Sequence, residues 1–300
     1  MMPRLLFFVL FYGIKVRMRK AAMTKESQIR IIFSDIDGTL LPFEGKDLSA
    51  TAALIADLIR AGYVFVPCTG RGTGNIPPQI LSIPGLRYVI TANGALVTDL
   101  ADSRVLYNKT LSRGLASKLL AFLRRYDGTP FSYRRGIHFI DSKSSCEPLR
   151  AAAHSLRDWV DHAAEMRMED YLAEAESDYV DKIGFACLDQ ALRERVMEDV
   201  RREPFYDELF VTTSGPWNVE FNAAGANKGL AAAWLTGHLG LPPSSMLAAG
   251  DNFNDLPMLE TAAVSLAPAN AEPAVKARAS VVVPDCREDG VEKYLMRFLP

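Results

Sequence analysis

Two acids close a strongly apolar run. In IRIIFSDIDGTLLPFEG, residues 29–45, Asp35 and Asp37 follow Ile31, Ile32 and Phe33 and lead into Gly38 and Thr39. A carboxylate buried without a partner costs several kcal/mol. Two of them at a strand's end need a metal ion, basic side chains, or water at the strand terminus. Three further patches carry similar chemistry: CTGR (68–71), NKG (227–229) and GDNFND (250–255). Asp35, Asp37, Asp251 and Asp255 offer hard oxygen ligands, which suit Mg²⁺ better than a soft metal. Lys228 adds a cation and Thr69 a hydroxyl. A magnesium ion, a lysine, a hydroxyl and backbone N–H groups around one point are what a phosphoryl group needs. In such a site Asp35 is a candidate nucleophile. Asp37 lies one strand period further on. It could reach a leaving-group oxygen if the chain bends at Gly38, giving that oxygen a proton and later taking one from water.

These patches converge only if the chain folds as its periodicity indicates. From Gln28 onward, short β-rich apolar runs alternate with amphipathic stretches. IRIIFSDI, YVFVPCTGR and RYVITANGA read as buried parallel strands, and LSATAALIADLIRAG as a helix with Ser49 as N-cap and Gly62 as its stop. That rhythm predicts an α/β fold with a doubly wound, mostly parallel sheet, whose strand C-termini share one edge. Asp35, Thr69 and Asn93 each fall just after a strand and so gather on that edge.

The rhythm then changes. ALVTDLADSRVLYNKT reads as a hairpin, SRGLASKLLAFLRRYDG as a helix and PFSYRRGIHFID as one strand. A helix-rich acidic middle follows, and then strands with the apolar–polar alternation of a half-exposed antiparallel sheet. The expected organisation is an N-terminal extension over 1–27, a core over 28–97 and 215–300, and an inserted α+β cap over 98–214. No internal repeat or low-complexity tract is present.

At 300 residues the chain can bury a large core. Its formal net charge of −2 gives no electrostatic argument for nucleic acid or an anionic membrane. Cys68, Cys146, Cys187 and Cys286 are scattered and form no CxxC pair, which points away from a disulfide framework or structural zinc and toward a reducing, cytoplasmic compartment. LLFFVLFYGI, residues 5–14, is apolar but too short to span a bilayer as a helix. It reads as an extension ahead of a start at Met23 or a disordered tail, as a membrane-associating segment, or as a signal-peptide core.

In this order the four motifs resemble the haloacid dehalogenase superfamily of phosphohydrolases. DIDGT fits its DxDGT signature, CTGR its Ser/Thr motif, Lys228 its lysine motif and GDNFND its GDxxND motif. The insertion between the Thr and Lys motifs resembles the type II α/β cap of the Cof-like sugar-phosphatase branch. TANGA (91–95), NVEFNAAGANKG, DLPML and Asn270 match that branch as well; SLAPAN departs from its usual Met-Gly before the Asn. The resemblance implies Asp35 as nucleophile and Asp37 as acid/base. It implies Mg²⁺ on Asp35, the Asp37 backbone carbonyl and Asp251, a phosphoryl group on Thr69, Gly70 and Lys228, and support from Asn254 and Asp255. A small phosphorylated metabolite, most simply a sugar phosphate, is the implied substrate. A phosphomannomutase-type phosphomutase and a non-catalytic binder of phosphorylated ligands are the alternatives.

Each motif also has a plainer reading. Asp-Gly is turn chemistry, Asp255 could cap a helix, and Thr69 could close a turn. Lys228 sits where a helix dipole disfavours a cation, which favours a role in the site. Arg71 is a surface residue or a substrate contact. His138, His154, His162 and His238 fall in no motif and read as surface or packing residues.

Overall fold

The computed structural model describes residues 25–152, 154–167, 170, 172 and 180–300. The apolar segment 5–14, Met23 and most of the acidic run 165–178 lie outside the described residues. The strands are β1 (Ile31–Ser34), β2 (Val64–Pro67), β3 (Tyr88–Thr91), β4 (Leu96–Asp99), β5 (Arg104–Asn108), β6 (Thr129–Arg134), β7 (Ile137–Asp141), β8 (Ala164–Met166), β9 (Lys182–Ala186), β10 (Leu209–Thr212), β11 (Asn218–Ala223), β12 (Met246–Ala249), β13 (Val264–Pro268) and β14 (Val281–Val283). The helices are α1 (Ser49–Arg60), α2 (Pro78–Leu81), α3 (Arg113–Leu123), α4 (Glu147–Ala152), α5 (His154–Asp161), α6 (Gln190–Val200), α7 (Lys228–His238), α8 (Leu256–Thr261), α9 (Pro273–Lys276) and α10 (Gly290–Leu295).

A five-stranded parallel sheet in the order β14-β13-β12-β1-β2 carries the site. Its strands are apolar on both faces because both are covered. Ile32, Phe65, Leu247 and Leu266 pack with α1 and α10, while Ile31, Phe33, Met246 and Ala248 pack with α7, α8 and α9. The expected α/β core is therefore present, with two local differences. Ser49 is the first residue of α1 rather than its N-cap: the Asp47 carboxylate accepts from both its N–H and its hydroxyl. Strand β3 meets the parallel sheet at one parallel bridge only. It pairs antiparallel with β4 in a three-stranded sheet β3-β4-β5, joined to the end of β2 by a single bridge between Cys68 and Ile90. The N–H groups of Val64 and Cys68 point to β1 and that of Thr69 to Ile90. Alternation thus turns the Pro67 nitrogen toward β3, where it has no hydrogen to give.

The second large sheet runs β10-β11-β9-β6-β7-β8. PFSYRRGIHFID is two strands, not one: Arg135 and Gly136 take positive φ (53° and 76°) and turn the chain between β6 and β7. Nor is the sheet half-exposed. Strands β6, β9 and β11 are buried almost throughout, because Ile183, Phe185, Val219 and Phe221 pack on α3 and α6 while Phe131, Tyr133 and Ile140 pack with α4 and α5 on the other face. By strand pairing, the hairpin β4-β5 goes with β3, and β11 goes with the six-stranded sheet. His138 is a packing residue, stacked on Tyr133 at 4.9 Å and beside Trp159, and His238 stacks on Trp234.

Candidate active site

The C-terminal ends of β1, β2 and β12 and the first residue of α7 meet at one point. Asp35 follows β1, Thr69 follows the end of β2, Asp251 follows β12 and Lys228 opens α7, whose N-cap Asn227 accepts from the Leu230 N–H. Lys228 is fully buried. It donates to Asp35 at 2.7 Å and to Asp255 at 2.6 Å. The second oxygen of Asp255 accepts from the N–H groups of Asp251 and Asn252 at 2.9 and 3.0 Å, so it ties the loop while holding the lysine. Asp255 thus caps its short turn and serves the site as well. Asp251 accepts from the Thr39 hydroxyl at 2.7 Å. Gly38, at φ 76°, lies so close to Asp251 that a Cβ there would sit 2.3 Å from its carboxylate; no other residue fits this bend. Asn270 accepts from Cys286 N–H and donates to the Gly38 carbonyl at 2.7 Å, steadying the bend from the far side.

The electrostatics are unbalanced. Asp35, Asp251 and Asp255 bring ligand oxygens within 4.8 Å of one another, and one buried ammonium bonds to two of them, Asp35 and Asp255. Burial, then the neighbouring Asp255 charge, push the Asp35 carboxyl up to about 7, although Lys228 pulls it back. Burial and the charges of Asp35 and Asp255 raise Asp251 well above the usual range. Burial opposes the Lys228 charge, but Asp255 and Asp35 outweigh it and raise its pKa. Three carboxylates against one cation leave room for a hard divalent ion. Asp35 and Asp251 each keep one oxygen free of the hydrogen bonds described, so the donor set fits Mg²⁺.

The phosphate side of the site is made of unclaimed donors. Thr69 Oγ1 accepts from the Arg71 N–H at 3.1 Å, which leaves its own proton to give. Among the described residues no hydrogen bond takes up the N–H groups of Ile36, Asp37 or Gly70. Asn93 sits in a left-handed turn (φ 59°). It accepts from Asn254 at 3.1 Å and donates to Glu220 at 2.8 Å and Asn222 at 3.1 Å. It braces the loop and does not point at the acids.

Asp37 is brought to the site in an unexpected state. Arg71 clasps it with two bonds of 2.7 Å and donates a third to the Asn75 carbonyl. Sequence reasoning left Arg71 between surface and substrate contact; its place two residues after Thr69 was the signal. Lys182 and Glu220, from β9 and β11, were missed altogether. They form a buried pair at 2.5 Å, and Lys182 donates to the Gly70 carbonyl at 2.7 Å. No motif marks Lys182, and Glu220 stands inside NVEFNAAGANKG, a segment matched as a whole with no role given to its glutamate.

A parallel sheet whose strand ends carry a buried Asp–Lys–Asp cluster, beneath a second sheet that reaches into it, is an arrangement suited to phosphoryl chemistry. The model for haloacid dehalogenase-like hydrolases matches residues 32–295, and the chain belongs to that family, among its Cof-like phosphohydrolases. It is 26% identical over 279 residues to the 5-amino-6-(5-phospho-D-ribitylamino)uracil phosphatase YcsE of Bacillus subtilis, covering 92% of this chain and 98% of that one. It is 25% identical to the pyridoxal phosphate phosphatase YbhA of Escherichia coli (90% and 98% covered) and 28% identical to the HMP-PP phosphatase of Yersinia enterocolitica (90% and 95%). Its fold matches that of the HAD subclass IIB sugar phosphatase BT4131 with a TM-score of 0.75 at 21% identity, covering 90% and 98% of the two chains. The protein is a phosphoric monoester hydrolase.

Proposed function

We propose that this enzyme hydrolyses the phosphate monoester of a small soluble metabolite, most simply a sugar phosphate, with Mg²⁺ and through an aspartyl-phosphate. The observation that carries this reading is Lys228, held between Asp35 and Asp255 with Asp251 alongside. Asp35 Oδ attacks phosphorus as the bond to the leaving oxygen breaks. Asp37 gives that oxygen a proton, so the alcohol leaves neutral. Water then attacks the phosphorus of the aspartyl-phosphate, Asp37 takes its proton, and phosphate departs as Asp35 is restored. Lys228, the Thr69 hydroxyl and the N–H groups of Ile36, Asp37 and Gly70 would hold the three outer oxygens. Mg²⁺, on Asp35, Asp251 and the Asp37 carbonyl, would neutralise the excess charge and keep Asp35 ionised. Arg71 must release Asp37 for proton transfer; substrate entering between them would take over the guanidinium.

The named relatives act on phosphorylated heterocycles as well as sugars, so the substrate panel spans both. Among the described residues no helix is long and apolar enough to cross a membrane. All four cysteines are free and buried, which supports the cytoplasmic location we propose. The test is phosphate release with Mg²⁺ from sugar phosphates, nucleotides and pyridoxal phosphate, beside Asp35→Asn. Turnover that needs Mg²⁺ and drops by about 10⁴-fold or more in the variant is expected. Equal turnover by the variant would refute the nucleophile.

A further inference from the structure

We propose that Lys182 is a positioning residue that makes the phosphate loop complete only when the six-stranded sheet is seated on the core; the proposal rests on the phosphatase reading above. Lys182 and Glu220 are among the most deeply buried charged residues, at 1% and 2% exposure. Such a pair contributes little net stability, because desolvation offsets its attraction, and apolar residues of like volume would serve packing as well. Its placement accounts for it. Lys182 on β9 and Glu220 on β11 sit side by side, and each also reaches across to the core. The ammonium donates to the Gly70 carbonyl at 2.7 Å, and Glu220 accepts from Asn93 at 2.8 Å. Asn93 in turn accepts from Asn254 of the GDNFND loop. The Tyr133 ring, 4.8 Å from Nζ, covers the ammonium from the side of β6.

The bond to Gly70 falls at the centre of the working loop. Thr69 before it has the hydroxyl left to give, Gly70 itself has an unclaimed N–H, and Arg71 after it holds Asp37. A second contact seats the same region: Gly136, in the β6-β7 turn, accepts from the Gly74 N–H at 3.2 Å. When the sheet lifts, Gly70 loses its cation and Asn93 its carboxylate together. Closure and assembly of the phosphoryl site are then one event, and a ligand that needs the assembled loop must favour closure by the same free energy.

The probe is inorganic phosphate with Mg²⁺ on the full chain. In Lys182→Met/Glu220→Gln, which leaves no unpaired buried charge, we expect inhibition by phosphate to weaken and kcat/KM to fall by about 10- to 100-fold. The Mg²⁺ concentration for half-maximal activity should stay within twofold, because Asp35 and Asp251 are untouched. A folded double variant with wild-type phosphate inhibition and kcat/KM overturns the proposal. A second arm uses only the wild type: adding phosphate should slow amide exchange in residues 218–223 as well as 69–71. Protection of 69–71 alone overturns it, whatever the variant does. A wild type that neither releases nor binds phosphate would instead sink the phosphatase reading.

Discussion

Replacing Asp251 with Asn should move stability in opposite directions with and without Mg²⁺. The Asp251 and Asp35 ligand oxygens lie within 4.8 Å of each other, and Lys228 bonds to Asp35 and Asp255 but not to Asp251. At an effective dielectric near 20, two unit charges at that separation repel by about 3 kcal/mol. Both groups have folded pKa values raised above their unfolded values. In the metal-free protein each therefore removes stability as pH climbs from the unfolded pKa near 4 toward the folded one, which for Asp35 is about 7. Asn keeps the oxygen that accepts from Thr39 and removes the charge. Metal-free Asp251→Asn should melt higher than wild type by up to about 6 °C at pH 8, at roughly 2 °C per kcal/mol for a chain of this size. The gain should shrink toward pH 5. Wild type should gain about 2.7 kcal/mol at a Mg²⁺ concentration a hundredfold above its Kd, and the variant little of it. Thermal melts of both proteins, with Mg²⁺ or EDTA, at pH 5 and 8, give all eight values. A variant that melts lower than wild type in EDTA, or keeps the full Mg²⁺ shift, would refute the account of the acid cluster.

Lys228→Met leaves three buried carboxylates without their cation, so activity should fall by about 10³-fold or more and the metal-free protein should melt lower at pH 8 than at pH 5; steady-state kinetics and melts check this, and turnover within tenfold of wild type would contradict it. His138 is buried, with neither ring nitrogen hydrogen-bonded, and burial followed by the Lys182 charge pushes its pKa down to about 3. Its unfolded pKa is near 6.5, so the unfolded chain binds the extra proton and stability is lost as pH falls below that value. Wild type should lose about 2 kcal/mol more than His138→Phe between pH 7 and pH 5. Urea unfolding of both at the two pH values measures the difference, and parallel losses would mean that His138 is protonated in the fold.

The order of elements and the four motifs were legible because they depend on local periodicity and on residue types at strand ends. Asp35, Thr69 and Asn93 could be placed on one edge from the βαβ rhythm alone, and Gly38 at a bend from its position after two acids. What each group does once there was not legible. Arg71 clasps Asp37 from 34 residues away, Lys182 reaches Gly70 across 112, and Lys228 reaches Asp35 across 193. No local pattern encodes such pairs. Strand pairing misled in the same way: β3 has the composition of a buried parallel strand and does meet β2 in parallel, but only at the Cys68–Ile90 bridge, and nothing in its composition marks the antiparallel pairing of its other edge with β4.

The sequence by itself determined the α/β class, the acid-rich edge and its suitability for a hard cation, since hydrophobic period and ligand chemistry are properties of the residues alone. Only the tertiary structure decided that one buried lysine bonds to two of three clustered carboxylates, that Asp37 is held by Arg71, and that β9 and β11 lend a charged pair to the phosphate loop. Those outcomes depend on desolvation and on distances between groups far apart in the chain, which exist only once the sheets have packed.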